Sequence, residues 1–179
     1  ADVYQYAGGI KVIVLPPTEL NDRFDFDLSF LNDLQQYKEA FKNDMYIAAC
    51  RRYQGDDSKY VYSLAQLSSQ FQVPMVATND VHYHEPSRRQ LQDIVTCVRE
   101  KCTIHTAGFL LHPNAERYLK TQEEMLRLFR QYPGAIASTQ EITAACKFSL
   151  DELKYEYPEE ITTGGRTPQE ELTYLAWQG

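Results

Sequence analysis

A β-branched run from Ile10 to Leu15, set between Gly8-Gly9 and Pro16-Pro17, opens an alternation of short apolar runs and amphipathic stretches that constrains the fold more than any other feature. Bounded in this way, the run predicts a buried strand over 10–15. Leu28, Leu31, Leu34 and Phe41 then recur near helical spacing, and Asp25 or Asp27 stands where a cap is needed, so a helix is expected to end before Asn43-Asp44. Met45 to Cys50 predicts a second strand. Gly55-Asp56-Asp57-Ser58 turns the chain into a helix carrying Val61, Leu64, Ala65, Leu67 and Phe71, and Val73 to Thr78 supplies a third strand, taken as 74–79. The order β, α, β, α, β implies an α/β fold with parallel strands joined by right-handed crossovers. Ligands of such folds gather at the carboxyl ends of the strands. The expected core is Val12, Val14, Ile47, Val76, Leu64, Phe71, Leu91, Ile94 and Val95.

Beyond residue 85 the strand signals fade and the chain reads as mostly helical. Leu91, Ile94, Val95, Val98 and Cys102 mark one helix face, Thr121-x-x-Glu124 has the form of a capping box, and a helix is expected from about Ala135 to Cys146. Thr167-Pro168-Gln169-Glu170 places a cap, an N1 proline and an N3 glutamate at the start of a last helix. Pro158 to Gly165 reads as a linker, with a boundary between 150 and 165.

Composition limits the function. With 179 residues, 43% hydrophobic and 24% charged, the chain has the resources of one globular domain. Its formal charge of −7 argues against a self-sufficient nucleic-acid binder. Cys50, Cys97, Cys102 and Cys146 form no C-x-x-C pair, which points to reduced thiols and a cytoplasmic setting. No apolar run approaches the ~20 residues of a membrane span. The start Ala1-Asp2-Val3 lacks the form of a signal peptide, and a start without Met suggests a fragment or a processed chain.

The chemistry-bearing segment is Ala77-Thr78-Asn79-Asp80-Val81-His82-Tyr83-His84, where the third strand would end. In an extended backbone, alternation puts Asp80, His82 and His84 on one side. A carboxylate and an imidazole two residues apart can share Zn²⁺ or Mn²⁺ at ~2.0–2.2 Å, although on spacing alone a solvated loop histidine is the simpler reading. Asp25-Phe26-Asp27 has the D-x-D spacing of a two-metal site, but a helix-capping role explains it. His105 and His112 lack companions at ligand spacing, and the Tyr53, Tyr60, Tyr62 group reads as a packing surface rather than a base-stacking platform.

Val73-Pro74-Met75-Val76-Ala77-Thr78-Asn79-Asp80-Val81-His82-Tyr83 resembles the last metal-binding motif of the PHP (polymerase and histidinol phosphatase) domain of bacterial C-family DNA polymerases, the DNA polymerase III alpha subunit type. The likeness continues in order through Arg89 to Ile94, Pro113 to Lys120, Glu124-Met125, Leu128-Phe129 and Thr139 to Ile142, which resemble the family's helical region. Phe148 to Pro158 is similar to the error-prone branch, and Glu171-Leu172-x-x-Leu175 resembles the helix that enters the polymerase core. The resemblance implies a partial PHP-type distorted (β/α) barrel with parallel strands, followed by a mostly helical segment. Residues 1–150 would be the C-terminal portion of the PHP domain, and 151–179 a linker and first helix leading into the core.

It further implies that Asp80 and His82 are metal ligands, with Zn or Mn in the intact PHP domain and Mg in a polymerase core outside this stretch. No catalytic residue is carried over. His84 lies outside the motif, and the remaining ligands belong to earlier motifs, including an H-x-H, that nothing here matches. At Met45 to Arg52, relatives carry a glutamate where Ala48 stands and a histidine near Arg52, so a hydrolytic site would be degraded. The parent is expected to be a DNA-directed DNA polymerase acting on DNA and deoxynucleotides, in replication or translesion synthesis. The PHP part would serve as scaffold or as a metal-dependent phosphoesterase with a proofreading role, and the fragment itself would be inactive. The alternatives are a non-catalytic module docking a proofreading exonuclease subunit and a free-standing PHP phosphoesterase, the second disfavoured by the Tyr155-Glu156-Tyr157-Pro158 string.

Overall fold

The computed structural model describes residues 2–154 and 164–178. Most of the expected linker, and the Tyr155 to Pro158 string, lie outside the described residues. The chain divides into two compact units, residues 1–145 and 146–179.

The first unit holds a short helix α1 (Asp2–Gln5), strand β1 (Val12–Val14), helix α2 (Leu28–Phe41), strand β2 (Met45–Cys50), helix α3 (Asp57–Phe71), strand β3 (Met75–Thr78), and helices α4 (Arg89–Glu100), α5 (Gln122–Leu128) and α6 (Pro133–Ala145). The three strands form one parallel sheet in the order β1-β2-β3. Register pairs Val14 with Ile47, Ala48 with Val76, and Cys50 with Thr78. The β1 strand is shorter than the expected 10–15, because Ile10 donates its N–H to Ala7 O in a turn and stands exposed.

Local chemistry sets the helix ends. Asp27 caps α2, its Oδ1 accepting from Leu28 N at 2.8 Å and its Oδ2 from the Ser29 hydroxyl at 2.6 Å. These bonds hold the Asp27 carboxyl below its ordinary pKa, the Ser29 hydroxyl contributing most. Thr121 caps α5 by accepting from Glu124 N at 3.3 Å, but the reciprocal half of the expected box is diverted: the Glu124 carboxylate accepts the Tyr118 hydroxyl at 2.8 Å. In the second unit, helix α7 (Pro168–Gln178) opens with a complete box, Glu170 N to Thr167 Oγ1 at 3.3 Å and Thr167 N to Glu170 Oε2 at 2.8 Å.

All six residues of β2 are buried. Met45, Ile47 and Ala49 lie on one face and join Leu34 and Phe41 of α2, Leu64 and Leu67 of α3, and Leu128, Phe129 and Ala135 in the core. Tyr46, Ala48 and Cys50 occupy the other face. Burying a side chain such as Ile47 contributes roughly 1.5–3 kcal/mol. Of the expected core, Ile47, Leu64 and Val76 are buried, and Val12, Val14 and Phe71 pack against it partly buried.

Leu91, Ile94 and Val95 depart from expectation, being 55%, 56% and 53% exposed. Helix α4 does form, but it packs through Thr96 and Cys97 and turns its apolar stripe outward. Periodicity places those residues on one helix face; it does not supply a layer to cover them. A second departure lies at Pro113 to Lys120, read by resemblance as part of a helical region. That stretch is non-helical and returns to the sheet end, where Tyr83 and Tyr118 form a parallel bridge.

Candidate functional site

The carboxyl ends of β2 and β3 and the returning loop 113–120 build one polar cluster. Past Thr78 the backbone turns sharply, because Asp80 adopts a left-handed φ of 45°. His82 N and Tyr83 N then both donate to Arg117 O, at 2.8 and 3.3 Å, and Leu119 N donates to Tyr83 O at 3.2 Å. Asn79 Nδ2 donates to Tyr118 O. These bonds clamp the loop against the β3 exit and deliver the Arg117 side chain to the two residues expected to bind metal.

Asp80 and His82 do come together, with Oδ1 and Nε2 3.6 Å apart. A turn at Asp80, rather than alternation in an extended strand, accounts for their proximity. Arg117 Nη1 lies 3.1 Å from Asp80 Oδ2 and 2.9 Å from His82 Nε2. A guanidinium only donates, so His82 Nε2 accepts in this arrangement and its lone pair is engaged. His112, set aside on spacing, packs edge-on against His82 with ring centroids 5.0 Å apart. Its imidazole titrates below the ordinary histidine value because of desolvation, reinforced by the Arg117 charge and by His82. The His112 carbonyl accepts from Arg89 Nη2 at 2.6 Å, which ties α4 to the cluster.

His84 stands apart as a solvated residue, 3.9 Å from Glu85 Oε1, and His105 is exposed. Arg52 and Arg117 line one cavity of about 600 Å³ together with Thr18 and Gln54. Behind it, burial pushes the Cys50 thiol above its ordinary pKa. Ala48 is buried and offers no ligand atom.

Asp80 and His82 are the two candidate ligands that this chain itself supplies. Among the described residues, no group of three or more His, Cys, Asp and Glu side chains could hold a metal. At the place where the ion would bind, a fixed cation already occupies Asp80 Oδ2 and His82 Nε2. Sequence reasoning missed Arg117 and His112, which local spacing could not relate to residues so far away along the chain. The one signal present was the ordered Pro113-Asn114-Ala115-Glu116-Arg117 motif, whose Asn114 side chain donates to Arg52 O at 2.7 Å and pins the loop.

No protein-family model matches the chain. Curated relatives do. It is 42% identical over 178 residues to a protein named error-prone DNA polymerase from Bradyrhizobium sp. (strain ORS 278), covering 99% of this chain and 15% of that protein. It is 42% identical over 179 residues to the error-prone DNA polymerase of Brucella abortus, covering all of this chain and 16% of the relative. Against error-prone DNA polymerase 3 of Agrobacterium fabrum it is 43% identical over 177 residues, again with 16% of the relative covered. The chain therefore spans about a sixth of the length of the curated relatives it matches. With an identity near 42% sustained along its whole length, the chain is a homologue of one segment of bacterial proteins named error-prone DNA polymerase.

Proposed function

We propose that the chain is part of a bacterial DNA polymerase of the polymerase III alpha type, and that these residues act as its scaffold rather than as a metal-dependent phosphoesterase. Residues 1–150 would be the C-terminal portion of a PHP-type barrel, and 151–179 would lead into the polymerase core. Nucleotidyl transfer to DNA from deoxynucleotides, with Mg, would take place in that core, in the cytoplasm. The observation that carries the scaffold reading is Arg117, whose guanidinium bridges Asp80 and His82 where a Zn or Mn ion would have to bind. A metal arriving there would have to expel a fixed cation and break two charge-assisted contacts.

The exposed stripe of Leu91, Ile94, Val95 and Val98 supports the same reading, since a scaffold segment of a longer protein has faces that other parts cover. A proofreading exonuclease subunit is a further candidate for such a face.

Two assays test the proposal. With primed template, deoxynucleotides and Mg²⁺ or Mn²⁺, the chain should neither extend nor degrade DNA. Extension abolished by the Asp25→Ala, Asp27→Ala double change would overturn the assignment of synthesis to a separate core. In calorimetric titration, Zn²⁺ should bind the wild-type chain weakly and Arg117→Ala more tightly. Tight binding by the wild-type chain that disappears in His82→Ala would defeat the scaffold reading.

A further inference from the structure

A second cavity, of about 380 Å³, lies beside the first residues of α3 and near α5, and its lining includes Arg51, Tyr53, Asp57, Ser58, Arg127 and Arg130. Three guanidiniums face one carboxylate there, in a chain whose formal charge is −7. That carboxylate is committed to the backbone, since Asp57 Oδ1 accepts from Arg52 N at 3.1 Å and Oδ2 from Tyr53 N at 2.6 Å.

The arginines are poorly satisfied. Arg51 Nε is buried with no hydrogen-bond partner among the described residues. Arg130 makes no ion pair among them, and Arg127 has a long 3.9 Å approach to Glu124 and a 3.5 Å hydrogen bond to the Tyr53 hydroxyl. A buried guanidinium N–H without an acceptor is costly unless an anion supplies one. Ser58, in the first turn of the 15-residue helix α3, adds a hydroxyl donor and the positive end of the helix dipole.

Tyr53 supplies the second half of the site. Its φ is 55°, a left-handed conformation that a bulky aromatic residue rarely adopts. Asp57 holds its N–H, and Asn114 Nδ2 donates to its carbonyl at 3.3 Å. The neighbours thus maintain a strained backbone, while the residue is 46% exposed and its hydroxyl lies 3.5 Å from Arg127 Nη2. An exposed, positioned aromatic ring among arginines matches the recognition of a nucleotide by stacking and phosphate contact. The lining comes from two separate parts of the chain, 51–58 and 127–131, and of the Tyr53, Tyr60, Tyr62 group expected to form a packing surface, Tyr53 and Tyr62 are exposed. Tyr60 alone of the three joins the core margin.

We propose that this cavity binds a nucleoside phosphate unit, with the phosphate among Arg51, Arg127 and Arg130 and the base on the Tyr53 ring. The unit could be a free nucleotide or one position in a single strand, and the test separates these sources. The site is distinct from the Arg52–Arg117 cavity, so its failure leaves the scaffold reading untouched.

The test uses the 179-residue chain at low salt. Fluorescently labelled oligo(dA) is titrated by anisotropy, and adenosine 5′-monophosphate by calorimetry. Binding should weaken at least about tenfold in Arg127→Ala/Arg130→Ala, both exposed positions, and the salt dependence of oligo(dA) binding should flatten by up to about 0.7 in log–log slope, the value for one lost phosphate contact. Tyr53→Asn keeps a residue that tolerates the left-handed backbone and should also lose affinity, whereas Tyr53→Phe should retain it. Binding of the monophosphate identifies a free-nucleotide site, and binding of oligo(dA) alone identifies a strand site; either supports the proposal. No binding of either probe, an unchanged affinity in the arginine pair variant, or an unchanged affinity in Tyr53→Asn overturns it.

Discussion

Arg117 Nη1 lies 3.1 Å from Asp80 Oδ2, joining a loop residue to the turn that follows β3. The pair is part-exposed, at 19% and 41% of the respective side chains, so solvent screening limits its worth. A double-mutant cycle with Asp80→Asn and Arg117→Met should give a coupling of about 0.5–1 kcal/mol in urea unfolding. A coupling indistinguishable from zero would mean that the backbone bonds of loop 113–120 hold the site unaided.

The central strand should dominate stability. Ile47 and Leu64 have no exposed surface and lie in one cluster. Ile47→Ala and Leu64→Ala should each destabilise the first unit by about 2–5 kcal/mol, read as a lower denaturation midpoint. Losses below about 1 kcal/mol at both positions would contradict the packing described for the sheet.

The stripe on α4 should behave oppositely. Leu91→Glu and Val95→Glu change residues already more than half exposed. Stability should move by less than about 0.5 kcal/mol, while self-association at high concentration, measured by sedimentation, should fall. A large loss of stability would show that these side chains are covered.

Alkaline pH should expose Tyr60. Its phenol is pushed up to about 12, chiefly by burial, from an ordinary 10.0, and its hydroxyl donates to Pro17 O at 2.7 Å. Between those values the unfolded chain releases the proton and the native chain keeps it. The contribution is therefore complete below about pH 10 and is lost as pH rises through about 12. Tyr60→Phe should flatten the fall in stability across that window, and wild-type tyrosinate absorbance should show a late-titrating group. An identical pH profile in the variant would refute the assignment.

Much of the local structure was legible in the residues themselves. An aspartate cap for α2, at 25 or 27, the Thr167–Glu170 box, the ends of β2 and the parallel β-α-β-α-β order all follow from interactions within a few residues or from simple periodicity, and the structure selects Asp27. The Asp80-x-His82 pair was visible as well, and the resemblance to C-family polymerases matches the relatives found. Tertiary structure alone decided what those two residues meet. Arg117 and His112 reach them through a loop held by long-range backbone bonds, which no local spacing encodes. It decided equally that α4 packs through Thr96 and Cys97, leaving Leu91, Ile94 and Val95 outside. The physical reason is the same in both cases: sequence period assigns side chains to a common face, but the partner of that face is chosen by segments distant in the chain.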